Sequence, residues 1–202
     1  MSVPGWFRET LEKELSAWAT LFDVQVSQLY EHYVLLERWN KKINLTTVEP
    51  GPQMVIRHYC ESLFFAAHLG ASGGSIADIG SGAGFPGIPL AILKPECKVT
   101  LVESHQRKAV FLKETTRTLG NVSVTAVRAE GLTSAGYDWL VARAVKPRDV
   151  VALIPRLAPN IGLMLGEDDF PDIKTAKHVA WSEPVRLPWG DRRICVYGTS
   201  ST

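Results

Sequence analysis

Asp78-Ile-Gly-Ser-Gly-Ala-Gly-Phe-Pro-Gly87 is the stretch on which the reading of this chain turns. It follows Ser75-Ile-Ala-Asp-Ile79, which reads as a short buried strand. Glycines directly after such a strand let the backbone turn tightly and approach a ligand with no Cβ in the way. Pro86 suits the first turn of the next helix, where its missing N–H costs nothing. Free N–H groups at that helix start favour an anionic group.

Outward from the loop, strands and helices alternate. Gly87 to Leu93 reads as a helix and Lys98 to Val102 as a second strand. His105 to Leu119 is a helix with Val110, Phe111 and Leu119 on one side. Val122 to Val127, Tyr137 to Ala142 and Ile161 to Leu165 are three more strands, with a helix at Val150 to Leu157. This order predicts an α/β fold with a doubly wound, mostly parallel sheet. The tail, His178 to Tyr197, has two β-like runs joined by Pro188-Trp-Gly-Asp191, an expected antiparallel hairpin.

Upstream the texture is helical. Phe7, Leu11, Leu15, Trp18 and Phe22 make one amphipathic stripe, and Ser27 is a candidate N-cap for a helix through Tyr30, Tyr33, Leu36 and Arg38. A polar turn at Asn40 to Pro52 precedes a third helix, from about Gln53 to His68. Ala71-Ser-Gly-Gly74 is a break. The expected division is therefore a helical extension, 1–70, and a ligand-binding core, 71–202.

Composition narrows the function. The 202 residues are 46% hydrophobic and 21% charged, a globular balance. No apolar run approaches the roughly 18 residues that span a bilayer. Residues 1–10 lack an apolar stretch, so no secretory signal is expected. Cys60, Cys97 and Cys195 form no CxxC pair, which argues against a zinc site or a disulfide framework and for a reducing, cytoplasmic setting. The net charge of +1 does not announce a nucleic-acid partner. An RNA substrate would require the basic residues to gather on one face.

Two ligands compete for the glycine loop. Gly82-Ala-Gly84-Phe-Pro-Gly87 spells G-x-G-x-x-G, the dinucleotide fingerprint. Asp78, at the strand end before Gly80 and Gly82, would sit poorly beside a pyrophosphate but suits the ammonium end of S-adenosyl-L-methionine. Glu103 closes the second strand and can accept both ribose hydroxyls in either reading. Arg128-Ala129-Glu130 closes the third strand, where an adenine would lie. The acid at the strand end favours the methyl donor.

At this point the sequence resembles the bacterial glucose-inhibited division protein B family, the 16S rRNA guanine-N7 methyltransferases. The resemblance rests on Arg38-Trp-Asn-Lys-Lys-Ile-Asn-Leu-Thr46, on His58 with Glu61-Ser-Leu63, and on the glycine loop continued as Phe85-Pro-Gly-Ile-Pro-Leu90. Val102-Glu-Ser104, Arg107-Lys108, Phe111-Leu112, Arg128-Ala-Glu130, Arg143-Ala144 and the tail Gly190-Asp-Arg192 follow in order. It implies a class I methyltransferase (Rossmann-like) fold with an N-terminal helical extension. It implies that Gly80, Phe85, Ala129, Glu130 and Arg143 contact S-adenosyl-L-methionine and that Glu103 holds its ribose. It also implies 16S ribosomal RNA, free or in the small ribosomal subunit, as substrate. Two positions depart: Glu61 stands where the family usually has Asp, and Leu165-Gly166 where a Lys-Gly pair is frequent.

The chemistry agrees with that resemblance. Guanine N7 carries an in-plane lone pair and no proton, so its methylation needs placement rather than a general base. The Asn/Asp-Pro-Pro-aromatic loop of amine methylation is replaced here by Ala142-Arg-Ala-Val-Lys-Pro147, and no cysteine occupies a nucleophile's position. Arg143 is the candidate catalytic residue, directed to the donor carboxylate or an RNA phosphate; the alternative is an ordinary pair with Asp138 or Asp149. Arg38, Lys41, Lys42 and Arg57, with Arg143, Lys146 and Arg148, are the candidate phosphate stripe; Arg107, Lys108, Lys113 and Arg117 do not all share one helix face. Asn40 and Asn44 either bond a base or stitch the loop before Thr46. His58 either touches the pocket or is structural. The expectation is a cytoplasmic, monomeric methyltransferase of 16S rRNA. Its rivals are a same-fold enzyme on another RNA or a small molecule, a dinucleotide-dependent oxidoreductase, and a non-catalytic ribosome-assembly factor.

Overall fold

The computed structural model describes residues 2–132, 136–190 and 192–201. Among the described residues eight strands form one sheet: β1 (Gly74–Ile79), β2 (Cys97–Val102), β3 (Val122–Thr125), β4 (Trp139–Arg143), β5 (Asn160–Gly166), β6 (Val179–Trp181), β7 (Val185–Arg186) and β8 (Arg193–Ser200). Their order is β3-β2-β1-β4-β5-β8-β6, with β7 also paired to β8. The first five strands run parallel, and β8 lies antiparallel to β5, β6 and β7. The tail is therefore more than a hairpin: β8 is an internal strand that receives both shorter runs on one side.

Alternation along the parallel strands divides two hydrophobic clusters. Ile76, Val99, Leu101 and Val141 face one side, where α1 (Gly5–Leu15), α2 (Asp23–Asn40), α4 (Glu61–His68), α5 (Gly87–Leu93) and α6 (Gln106–Thr115) supply Leu11, Leu29, Phe65, Ile88 and Phe111. Ala77, Ile79, Leu140 and Ala142 face the other, covered by α7 (Pro147–Val151), α8 (Ile154–Leu157) and α9 (Phe170–Lys174) through Val150, Leu157 and Ile173. The N-terminal helices and one face of the sheet thus share a single hydrophobic cluster across position 70.

Several local expectations shift. The N-terminal stripe stays in one helix only as far as Leu15; Phe22 is exposed and precedes α2, which starts at Asp23. Ser27 is inside α2, its hydroxyl donating to the Asp23 carbonyl rather than capping. Val110 points to solvent because it falls off the face shared by Phe111 and Leu112. Leu153 and the proline after Ile154 divide the expected helix at 150–157 into α7 and α8. The expected helix at 53–68 is α3 (Pro52–Met54), a π-helical stretch at Val55–Cys60, and then α4. Asp191, in the expected tail turn, lies outside the described residues.

The sheet order reverses between β1 and β4, which pair as Asp78↔Val141 and Ile79↔Ala142, while Ile79 pairs with Val102 on the other side. The next residue on each strand is Gly80, Glu103 and Arg143. Register alone brings these three to the crevice at the carboxyl edge, where ligands of such sheets bind.

Candidate functional site

The glycine loop is held from below and behind. Gly80 and Ser81 both donate to the Val102 carbonyl, at 2.9 and 3.1 Å. Gly80, Gly82 and Gly84 have φ of 70, 56 and 92°, the left-handed region that glycine enters without strain. A Cβ on Gly80 would lie 2.6 Å from Val145 Cγ2, so the bare backbone also makes room. Glu103 accepts from Gly82 N at 2.9 Å and from His105 N at 2.7 Å. Its carboxylate therefore ties the loop to the end of β2, and each oxygen keeps acceptor capacity.

Asp78 is placed differently from a pocket acid. It is fully buried beneath the loop and accepts from Gly87 N through Oδ2 at 3.1 Å; among the described residues Oδ1 has no partner. Burial raises its carboxyl to about 7. The first N–H of the following helix is thus spent on Asp78. Asp78 does not line either cavity of the site.

Two cavities open from Gly80. One, of about 180 Å3, is lined by Gly80, Val102, Ala129, Glu130, Val145 and Leu153 among others. The turn carrying Ala129 and Glu130 is braced by Arg156, whose guanidinium donates to the carbonyls of Ala129, Glu130 and Leu132. The other, of about 220 Å3, joins Gly80, Gly82 and Phe85 to Thr46, His58, Lys108 and Arg143. The candidate residues Gly80, Gly82, Phe85, Ala129, Glu130 and Arg143 therefore meet across one crevice, with Glu103 behind its loop and Asp78 underneath.

The helical extension builds the outer wall. Asn40 closes a loop by accepting from Leu45 N and Thr46 N and donating to the Thr46 carbonyl. It stitches the chain, and Asn44 stays exposed. Thr46 Oγ1 lies 2.7 Å from His58 Nε2, and the His58 ring stacks on Phe85 at 4.8 Å. Burial first, and then Arg143, depress His58 to about 3, so the ring is neutral. His32 Nε2 donates to the Ala83 carbonyl at 2.9 Å, which leaves Nδ1 to accept from Tyr59. Burial depresses His32 to about 4.

Arg143 pairs with neither Asp138 nor Asp149. Its Nη2 donates to the Arg57 carbonyl at 2.7 Å and to Glu61 Oε2 at 3.1 Å. Arg193 Nη1 donates to the same Glu61 oxygen at 2.6 Å, and its Nη2 donates to Glu61 Oε1. Glu61 has no exposed surface and is shared by two arginines, with Arg57 Nε 4.0 Å away. Ala144, next to Arg143, has φ of 57°, an uncommon conformation for a residue with a Cβ. Sequence reading missed Glu61, Arg193, Arg156 and His32 as organisers of this region. Only Glu61 carried a signal, its place in a quoted motif.

Residues 25–177 match the family model described as rRNA small subunit methyltransferase G. The chain belongs to that family. A member from Xanthomonas axonopodis pv. citri is 45% identical over 138 residues, 67% of this chain and 64% of that protein. One from Stenotrophomonas maltophilia is 42% identical over 162 residues, 79% of this chain and 74% of its own length. This rRNA small subunit methyltransferase G family chain thus spans slightly less than two thirds of the Xanthomonas protein. Among solved structures, a ribosomal protein L11 methylase from Lactobacillus delbrueckii superposes with a TM-score of 0.59 at 14% identity, covering 72% of this chain and 80% of that one. A SAM-dependent O-methyltransferase from Thermotoga maritima gives 0.57 at 15% identity, covering 83% and 71%. The fold is the class I methyltransferase fold.

Proposed function

We propose that this chain transfers a methyl group from S-adenosyl-L-methionine to N7 of a guanine in 16S ribosomal RNA. The observation that carries the reading is the crevice itself. Gly80 stands between a cavity walled by Ala129, Glu130 and Val145 and a second one walled by Phe85, His58 and Arg143. The residues fit the donor. The first cavity mixes apolar walls with a polar rim, as an adenine requires. Glu103, whose chain neighbours Val102 and Ser104 line it, has lone pairs left for ribose hydroxyls. Gly80 and Gly82 leave backbone open to the sulfonium end. Arg143 and Lys108 supply positive charge for the donor carboxylate or an RNA phosphate. When bound, the donor supplies a methyl group on a sulfonium.

The chain's own residues then have one task, to hold an in-plane lone pair in line. Nothing has to remove a proton. His58, held neutral with its Nε2 on Thr46, shapes the wall. Cys60 and Cys195 are buried thiols raised by desolvation, outside the lining of both cavities, and no thiolate step is built on them. No described helix is long and apolar enough to cross a membrane. We place the reaction in the bacterial cytoplasm, by a monomer acting on rRNA or the small subunit.

The test is methyl transfer from labelled S-adenosyl-L-methionine to small subunits and to naked 16S rRNA from a strain lacking this protein, with nucleoside analysis. The expected product is 7-methylguanosine. A different labelled nucleoside, or no label despite donor binding, overturns the reading.

A further inference from the structure

A third cavity, of about 250 Å3, shares Arg143 and Ala144 with the cavity at the glycine loop. Its walls are apolar: Val145, Pro147, Met164, Leu165 and Leu187. Its charged lining is balanced, Arg143 and Arg193 against Glu61 and Asp169. Glu61 is already committed to the two arginines. Asp169 is not. It ends the run Glu167-Asp-Asp169, in which Glu167 pairs with Arg186 and Asp168 with Arg192. Among the described residues Asp169 has no ion-pair partner, and it is exposed at the cavity. Among the described residues Arg143 Nη1 and Arg193 Nε are buried donors without partners, and both arginines line this cavity.

A phosphate does not suit this cavity, because Asp169 would repel it. Apolar walls with a carboxylate acceptor and two guanidiniums in the lining suit a base read by its Watson–Crick edge and packed between side chains. The purine that matches is guanine. Its N1–H and N2 amino group donate side by side to one carboxylate, and its O6 accepts beside them. Adenine would set its N1 lone pair against the carboxylate. A guanine gripped by that edge presents N7 on its opposite side, with the lone pair unblocked.

We propose that this cavity seats the target guanine and that Asp169 is its specificity-determining residue. The inference rests on the guanine-N7 reading above. The test uses the full chain and 16S rRNA carrying either guanine or inosine, which lacks the N2 amino group, at the position mapped from the wild-type product. Loss of one charge-assisted hydrogen bond is expected to lower wild-type kcat/KM on inosine by about tenfold. Asp169→Asn is expected to fall about tenfold on guanine and to treat both bases alike within about twofold, with S-adenosylhomocysteine affinity unchanged. Asp168→Asn is expected to keep the wild-type ratio. If Asp169→Asn keeps the wild-type rate or the wild-type guanine-to-inosine ratio, the proposal is wrong while the methyltransferase reading stands. If wild type makes no 7-methylguanosine, that reading itself has failed.

Discussion

Glu61 on α4 and Arg143 at the end of β4 are 82 residues apart in sequence and meet at 3.1 Å, with Glu61 wholly buried. Arg193 completes the group from β8. A buried carboxylate between guanidiniums is costly to create and more costly to break, because removing one partner strands the others. Glu61→Gln is expected to destabilise the fold by about 3–5 kcal/mol, measured by urea denaturation at pH 7. Glu61→Asp keeps the charge on a shorter arm and is expected to lose less. Equal losses would mean that the charge is not what matters.

Gly80 gives the sharpest test of the loop. Alanine there combines a φ of 70° with a Cβ 2.6 Å from Val145. Gly80→Ala is expected to cost about 1–2 kcal/mol of stability from the backbone conformation alone. Its S-adenosylhomocysteine affinity, read by calorimetric titration, is expected to fall at least about tenfold. Gly120→Ala, where a Cβ meets nothing within 4 Å, is the control and is expected to change neither.

Asp78 makes stability depend on pH in a direction opposite to an ion-paired acid. Its folded pKa is raised from 3.8 to about 7 by burial, so the folded state holds the proton more tightly than the unfolded chain. That contribution is complete below the unfolded value and is lost as pH rises through about 7. Asp78→Asn keeps an acceptor for Gly87 N and cannot ionise. Its stability relative to wild type is expected to grow by roughly 2–3 kcal/mol between pH 5 and pH 8. A constant difference across that range would show that Asp78 does not titrate there.

His58 runs the other way. Its folded pKa is lowered from 6.5 to about 3, so its contribution is complete above 6.5 and is lost as pH falls toward 3. A His58→Gln variant is expected to lose less stability than wild type between pH 6.5 and pH 4. In wild type, the His58 ring resonances are expected to hold their neutral positions down to pH 5 by NMR. A midpoint near 6 would mean that the Thr46 and Phe85 contacts do not bury the ring as described.

The chain itself determined the strand, glycine turn and helix of residues 74–93, because those choices are local. A buried apolar run, positive-φ glycines and a helix start declare themselves within a few residues. The alternation of strands and helices likewise declared a mostly parallel sheet, because a crossover returns the chain in the same direction, but the order in which the strands lie came only from the structure. Gly80, Glu103 and Arg143 were named in the sequence from the glycine loop and the family resemblance, and the strand register of the structure brings them to one edge. The choice of partners, too, was decided only by the tertiary structure. Asp78 stands in the loop motif but turns inward to Gly87, because a strand residue's side chain takes the face that alternation assigns it. Arg143 ignores the nearer Asp138 and Asp149 for Glu61, which arrives on a helix from the extension. Asp169 faces a cavity while Arg186 and Arg192 pair with the two acids before it. Pairings of this kind depend on which side chains the packed layers bring together, and spacing along the chain does not encode them.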